Sequence, residues 1–212
     1  MLRLTLLLLA VGALSAQGVP ADTLLGNAQV APFPKLWIAP IALYQRVSYA
    51  TPLLNCQFEP SCSHFMALSI SDHGVAQGLI LGADRLVRCN PFAYGYQLRD
   101  RQSPFHDDGR LLDPVPTTGE PWALRPGLSG AIIPGLGRAR GGRPGDGMVS
   151  FLMVVSLAVS ANKLHLDGKQ IRAGIMGTFA IIFWLADMRS AGLSRATESQ
   201  LNDNEVPDHV SR

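Results

Sequence analysis

The sequence predicts an all-α protein in which a membrane-associated helical hairpin module is followed by a transmembrane helical hairpin. Three observations carry that prediction. Only 16% of the 212 residues are charged, against about 25% in soluble domains. Apolar residues recur at helical spacing between Trp37 and Cys89. Two runs of fourteen residues, Met148 to Ala161 and Ala173 to Ala186, contain no charge at all.

The composition also excludes classes. An apolar content of 47% with irregular Gly and Pro spacing rules out a disordered chain, a collagen and a long coiled coil. Three cysteines are too few for a dense disulfide scaffold. A net charge of +2 without a basic, aromatic-rich stretch gives no sign of a nucleic-acid partner. The charge is unevenly placed: Arg125 to Arg195 holds nine Lys or Arg against three acids, Trp37 to Pro116 six against seven, and Ala196 to Arg212 is net −3. Positive charge beside the most apolar segments suits anionic phospholipid headgroups.

In chain order, Met1-Leu2-Arg3, an uncharged run from Leu4 to Ala21 with Leu6 to Leu9 at its centre, and small residues up to Gly18 read as a signal peptide over residues 1–18, cleaved near Ala16 to Gly18. An uncleaved anchor is the alternative. Pro32 and Pro34 interrupt an aperiodic stretch, so 19–36 reads as a linker. Ile38, Ile41, Leu43, Tyr44 and Val47 then mark a short amphipathic helix, with Pro40 confined to its first turn. Pro60-Ser61-Cys62-Ser63 offers an N-cap to a helix that Gly74 ends. A second helix is expected from Val75 to about Cys89, with Leu79, Ala83, Leu86 and Val87 as its apolar face, until Asn90-Pro91 stops it. Gly78 and Gly82 give it a flat strip, and the two helices make a hairpin. Tyr96 to Leu112 reads as a polar surface loop.

Residues 117–147 form a Pro/Gly-rich linker, with a short interfacial or re-entrant element at Leu128 to Leu136. The charge-free runs define a transmembrane hairpin over 148–189, in which the ends of Lys163, Arg172 and Arg189 reach the headgroups. Residues 190–212 form a polar tail.

Few residues carry chemistry. Cys56, Cys62 and Cys89 suit one disulfide with a thiol left over in an oxidising compartment; spacing does not choose the pair, and His64 or His73 as a further ligand makes only a weak zinc site. No metal, cofactor or catalytic residue is expected, because no base and orienting group accompany a nucleophile. Pro134-Gly135-Leu136-Gly137 is a turn signal that lacks the rest of a phosphate-binding loop. Arg85 and Arg88, three apart on one helix, project together toward lipid phosphates or a partner carboxylate, or simply toward solvent.

Leu43-Tyr44-Gln45 with Ser48 and Pro52, Cys56-Gln57-Phe58-Glu59-Pro60-Ser61-Cys62-Ser63, His73-Gly74, Gly78-Leu79, Arg85 to Cys89 with Pro91-Phe92, and Asp113-Pro114-Val115-Pro116 closely resemble the YidD family of membrane protein insertion efficiency factors. The resemblance spans about 37–116, and its motif residues here are Tyr44, Gln45, Pro60, Ser61, His73, Gly74, Pro91, Asp113, Pro114 and Pro116. It implies a small, helical, non-enzymatic protein of the bacterial plasma (inner) membrane that helps nascent membrane proteins insert, near the YidC and Sec machinery. The module would be extracytoplasmic if the signal peptide is used. The sequence departs from the family in the sixteen residues from Gln97 to Leu112, in His64 and in Asn90. Residues 125–195 resemble small bacterial envelope domains with a Pro-Gly-x-Gly-Gln-x-Tyr signature and two membrane helices, Arg138 and Arg140 replacing Gln and Tyr. The alternative function is an extracytoplasmic, disulfide-locked interaction module of the cell envelope.

Overall fold

The computed structural model describes residues 18–49, 56–100, 105–117 and 132–204. All of the expected signal peptide except Gly18 lies outside them, as does Leu128 to Ala131 of the expected interfacial element. The described chain is mostly helical and divides into two compact units, Met1–Arg85 with Arg101–Thr118, and Leu86–Asp100 with Gly119–Arg212.

The first unit opens with α1 (Pro20–Gly26) and α2 (Pro32–Tyr49), so the expected linker is helical and contributes to the core. Each proline that suggested a break stands at or near a helix start, where a missing N–H costs nothing. Val19, Ala21 and Val30 are buried with Ile38 and Ala42 of α2 and with Ala67 and Ile70. Asp22 accepts the Val19 N–H at 3.1 Å and pairs with Arg46 at 2.8 Å, fastening α1 to α2. Pro40 lies inside α2 rather than in its first turn. It is on the exposed face, as is Leu36, whose carbonyl loses its helical donor there.

α3 (Cys62–His73) and α4 (Val75–Arg88) follow the sequence signals closely. Ser61 caps α3 through the His64 N–H, and Gly74 ends it with φ 80° while its N–H reaches the Ile70 carbonyl. A Cβ at Gly78 would lie 2.5 Å from the Ile70 backbone, so α3 and α4 approach as closely as glycine allows. Ile80, Leu81 and Ala83 are buried, whereas Leu86, expected on the apolar face, is exposed.

A parallel pairing completes this unit: β1 (Phe58–Glu59) lies beside β2 (Leu111–Leu112), with Phe58 opposite Leu111. The Leu111 N–H donates to the Gln57 carbonyl at 2.9 Å and the Asp113 N–H to that of Glu59 at 3.0 Å. The expected loop from Tyr96 to Leu112 is therefore corrected at both ends. Its last two residues are a strand because fully buried Leu111 brings its backbone to an open edge, and its start continues a helix.

That helix, α5 (Ala93–Asp100), belongs to the second unit with α6 (Leu136–Arg140), α7 (Pro144–Leu166) and α8 (Gln170–Asn204). α7 begins four residues before Met148 and continues past the charge-free run to Leu166. Only Asp167 to Lys169 separate it from α8, with Gly168 at φ 74° making the turn. α8 likewise continues past 189 into the expected tail. Polarity alone does not end a helix; in these segments no proline occurs before Pro207, and the glycines are isolated. α7 packs against α8, burying Val154, Ala173, Ala180 and Phe183. Two helices, Pro144–Leu166 and Gln170–Ser190, are long and apolar enough to cross a membrane.

Candidate functional site

In the first unit two of the family-motif residues, Pro60 and Asp113, meet Arg85. Its guanidinium is fully buried, 4.1 Å from the Phe58 ring centroid and 4.6 Å from that of Phe65. One terminal nitrogen donates to the Asp113 carbonyl at 2.7 Å and meets that residue's carboxylate at 2.5 Å. The other donates to the Pro60 carbonyl at 3.0 Å. A planar cation with several donors can stack on rings and serve three acceptors at once, which lysine cannot. Arg85 is thus a clamp joining α4 to the β1–α3 corner and to the segment after β2.

This corrects the lipid- or partner-facing role expected of Arg85. The helical repeat that places it beside Arg88 also places it on the face of Gly78 and Leu81, which is buried. Arg88 is half-buried. Sequence reasoning missed the clamp, although a charged residue seven after a glycine that must pack closely was a usable signal.

Gln45, Ser61 and His73 make further links within this unit. Gln45 is fully buried; its Oε1 accepts the Ala21 N–H at 3.0 Å and its Nε2 donates to Ser63 Oγ at 3.2 Å. Tyr49 and Ser61 share a hydroxyl hydrogen bond of 2.6 Å. His73 donates from Nε2 to the Pro116 carbonyl at 2.9 Å, so it binds the end of the Asp-Pro-Val-Pro segment. Pro114 is exposed, and Pro91, in the second unit, is exposed as well. Tyr44 points outward at 55% exposure. It belongs to a stripe on α2 comprising Phe33, Leu36, Trp37, Leu43, Tyr44 and Val47, all exposed and falling on one side of the helix. The expected amphipathic face is therefore split: Ile38 serves the core, while Leu43, Tyr44 and Val47 remain outside.

Cys56 and Cys62 come together, their sulfurs 3.3 Å apart. The Cys62 N–H, at the first turn of α3, donates to Cys56 Sγ at 3.3 Å. Arg110, ion-paired with Glu59 and with Asp108, also interacts electrostatically with Cys56. The Arg110 side-chain hydrogen bond, joined by the Arg110 N–H and by His106, holds the Asp108 carboxyl well below its usual range. Burial lowers the His64 imidazole below its ordinary value, with Glu59 opposing the shift. Cys89 lies one residue past α4, half-buried.

In the second unit a polar cluster fixes one end of α7 and α8. Arg138 Nε meets Asp187 Oδ1 at 2.8 Å, both side chains fully buried. Asp187 Oδ2 accepts the Gly135 N–H at 2.8 Å. Asn90 donates to Asp146 at 2.6 Å, and Arg143 donates to Ser190 at 2.8 Å. Gly135 has φ 85°, and a Cβ there would collide with the Gly147 carbonyl. The Pro-Gly-Leu-Gly turn signal is thus a point of close backbone approach.

Together these features define a helical protein whose first unit is cross-braced by buried polar side chains and whose second carries two helices able to cross a bilayer. Residues 33–98 match the YidD family profile, described as "Putative membrane protein insertion efficiency factor". A protein of that name from Thermotoga neapolitana is 41% identical over 63 residues, covering 29% of this chain and 77% of that protein. Its counterpart in Nitrosospira multiformis is 43% identical over 60 residues, covering 27% of this chain and 82% of the relative. No solved structure matches. The chain belongs to the YidD family.

Proposed function

We propose that the chain is a non-enzymatic membrane factor assisting the insertion or assembly of integral membrane proteins, with α7 and α8 as a transmembrane hairpin that tethers the family module to the bilayer. The observation that carries this reading is the length and exposure of those two helices. At 23 and 21 residues they extend about 34 and 32 Å, enough for a hydrocarbon core of about 30 Å. Their apolar side chains, among them Leu152, Val159, Ile171 and Ile181, face outward, where water would oppose them and lipid would not. The exposed stripe on α2 supplies a second apolar surface, suited to lying in the headgroup region. The clamp residues then act by holding α2, α3 and α4 in one shape. The name of the relatives supports the insertion role, and the partners of this reading are phospholipids, nascent membrane proteins and the YidC and Sec machinery of the plasma membrane.

Alkaline carbonate extraction of membranes from cells expressing the full chain tests the anchor. The chain is expected to stay in the pellet; release into the supernatant overturns the hairpin. Depletion tests the role: insertion of a reporter membrane protein should fall when the chain is depleted and recover on re-expression. Unchanged insertion refutes it.

A further inference from the structure

We infer that Cys56 and Cys62 form a dithiol site that reacts with external disulfides, closing to an intramolecular disulfide across the β1–α3 corner. The sequence left three pairings open. Sulfurs 3.3 Å apart need to move only about 1.3 Å to bond, given a disulfide length of about 2.05 Å. The two sulfurs are not equivalent. Cys62 is buried, whereas Cys56 is half-buried and so can meet a reagent from solvent. The Cys62 N–H, at the first turn of α3, donates to Cys56 Sγ, and a donor at a helix N-terminus favours the thiolate form that attacks.

The reaction balances as two exchanges. The Cys56 thiolate attacks one sulfur of an external disulfide, forming a mixed disulfide and expelling one thiolate, which takes up a proton. Cys62, having given its proton to solvent, then attacks the Cys56 sulfur, breaks the mixed disulfide and expels the second thiolate. The protein dithiol loses two electrons and two protons, and the external disulfide becomes two thiols. The ring so closed contains Phe58, which stacks on Arg85, and Pro60, whose carbonyl holds it. Oxidation therefore secures the Arg85 clamp and reduction releases the constraint.

Trypsin provides a direct readout. No Lys or Arg lies between Arg46 and Arg85, so Cys56 and Cys62 share the peptide 47–85, while Arg88 and Arg99 place Cys89 in a separate peptide, 89–99. The detergent-solubilised full chain is equilibrated with reduced and oxidised glutathione in varied ratio, quenched with a maleimide and digested. The expected result is an unalkylated peptide 47–85 about 2 Da lighter than the dithiol form, restored by reductant and unchanged in C89S. C56S and C62S should each lose it, and the unreplaced Cys62 of C56S should react more slowly with oxidised glutathione than Cys56 does in C62S. A peptide 47–85 that stays doubly alkylated at every ratio, or a disulfide that instead engages Cys89, overturns the proposal. Because the mass is read on the unaltered chain, poor folding of a variant leaves the test intact.

Discussion

Replacing Arg85 with alanine is the sharpest perturbation the clamp allows. The side chain makes hydrogen bonds of 2.7 and 3.0 Å to two carbonyls, and each hydrogen bond involving a charged group is worth about 1.5–3 kcal/mol. Taking the low end for both gives about 3 kcal/mol. Removing one partner of a buried ion pair costs about 3–5 kcal/mol by direct comparison, and the partial exposure of Asp113, 23% for its side chain, favours the lower part of that range. The stacking on Phe58 and Phe65 adds to the loss. An expected destabilisation of about 3–4 kcal/mol is a large share of the 5–15 kcal/mol that holds an ordinary domain together. It corresponds to a fall in Tm of more than about 12 °C for a unit of roughly 100 residues. The assay is thermal unfolding of the detergent-solubilised chain, read by protease sensitivity of peptide 47–85. R85K should recover less than half of the loss, since an ammonium lacks the planar fork. A change below about 1 kcal/mol, at the scale of an exposed pair, would refute the clamp.

G78A should destabilise the first unit by about 1–2 kcal/mol: overpacking against the Ile70 backbone costs about 1–3, and the better helix propensity of alanine returns at most about 1. A stabilised variant in urea melts would contradict the close approach of α3 and α4. G135A should be worse, because the left-handed backbone alone costs about 1–2 kcal/mol before the Gly147 carbonyl is met; limited proteolysis of α6 and α7 at lower temperature is the expected sign. His64 makes stability pH-dependent. Its folded value lies below the ordinary 6.5, so the unfolded chain binds more protons between the two values and stability falls as pH drops below about 6.5. Tm measured from pH 8 to 5 should fall less steeply in H64Q, and identical profiles would contradict the burial of that ring.

The parts of the fold written locally were legible. Ser61 and Gly74 bound α3 as their capping chemistry requires, and the charge-free runs lie inside α7 and α8. What escaped was non-local or depended on counting the whole helix. Pro32 and Pro34 read as breakers because their place at the beginning of α2 is visible only once α2 is known to start there. Leu111 and Leu112 pair with residues more than fifty positions away, which no window of the sequence displays. Arg85 was misjudged for a related reason: its three acceptors come from Pro60 and Asp113, and without them a guanidinium is expected in solvent. The proximity of Cys56 and Cys62, which spacing alone could not single out, follows from a corner that only the folded chain brings together.

Gln45 ties two neighbouring helices to the one that carries it. Its carboxamide oxygen accepts a hydrogen bond from the start of one helix, and its nitrogen donates one to the entrance of another. An ammonium there could not accept from the Ala21 N–H, so it could do only the second. The side chain therefore works as a two-sided gauge, satisfied only when both neighbours sit in register with the helix that bears it, and a shift of either leaves a buried polar atom without water or protein to answer it.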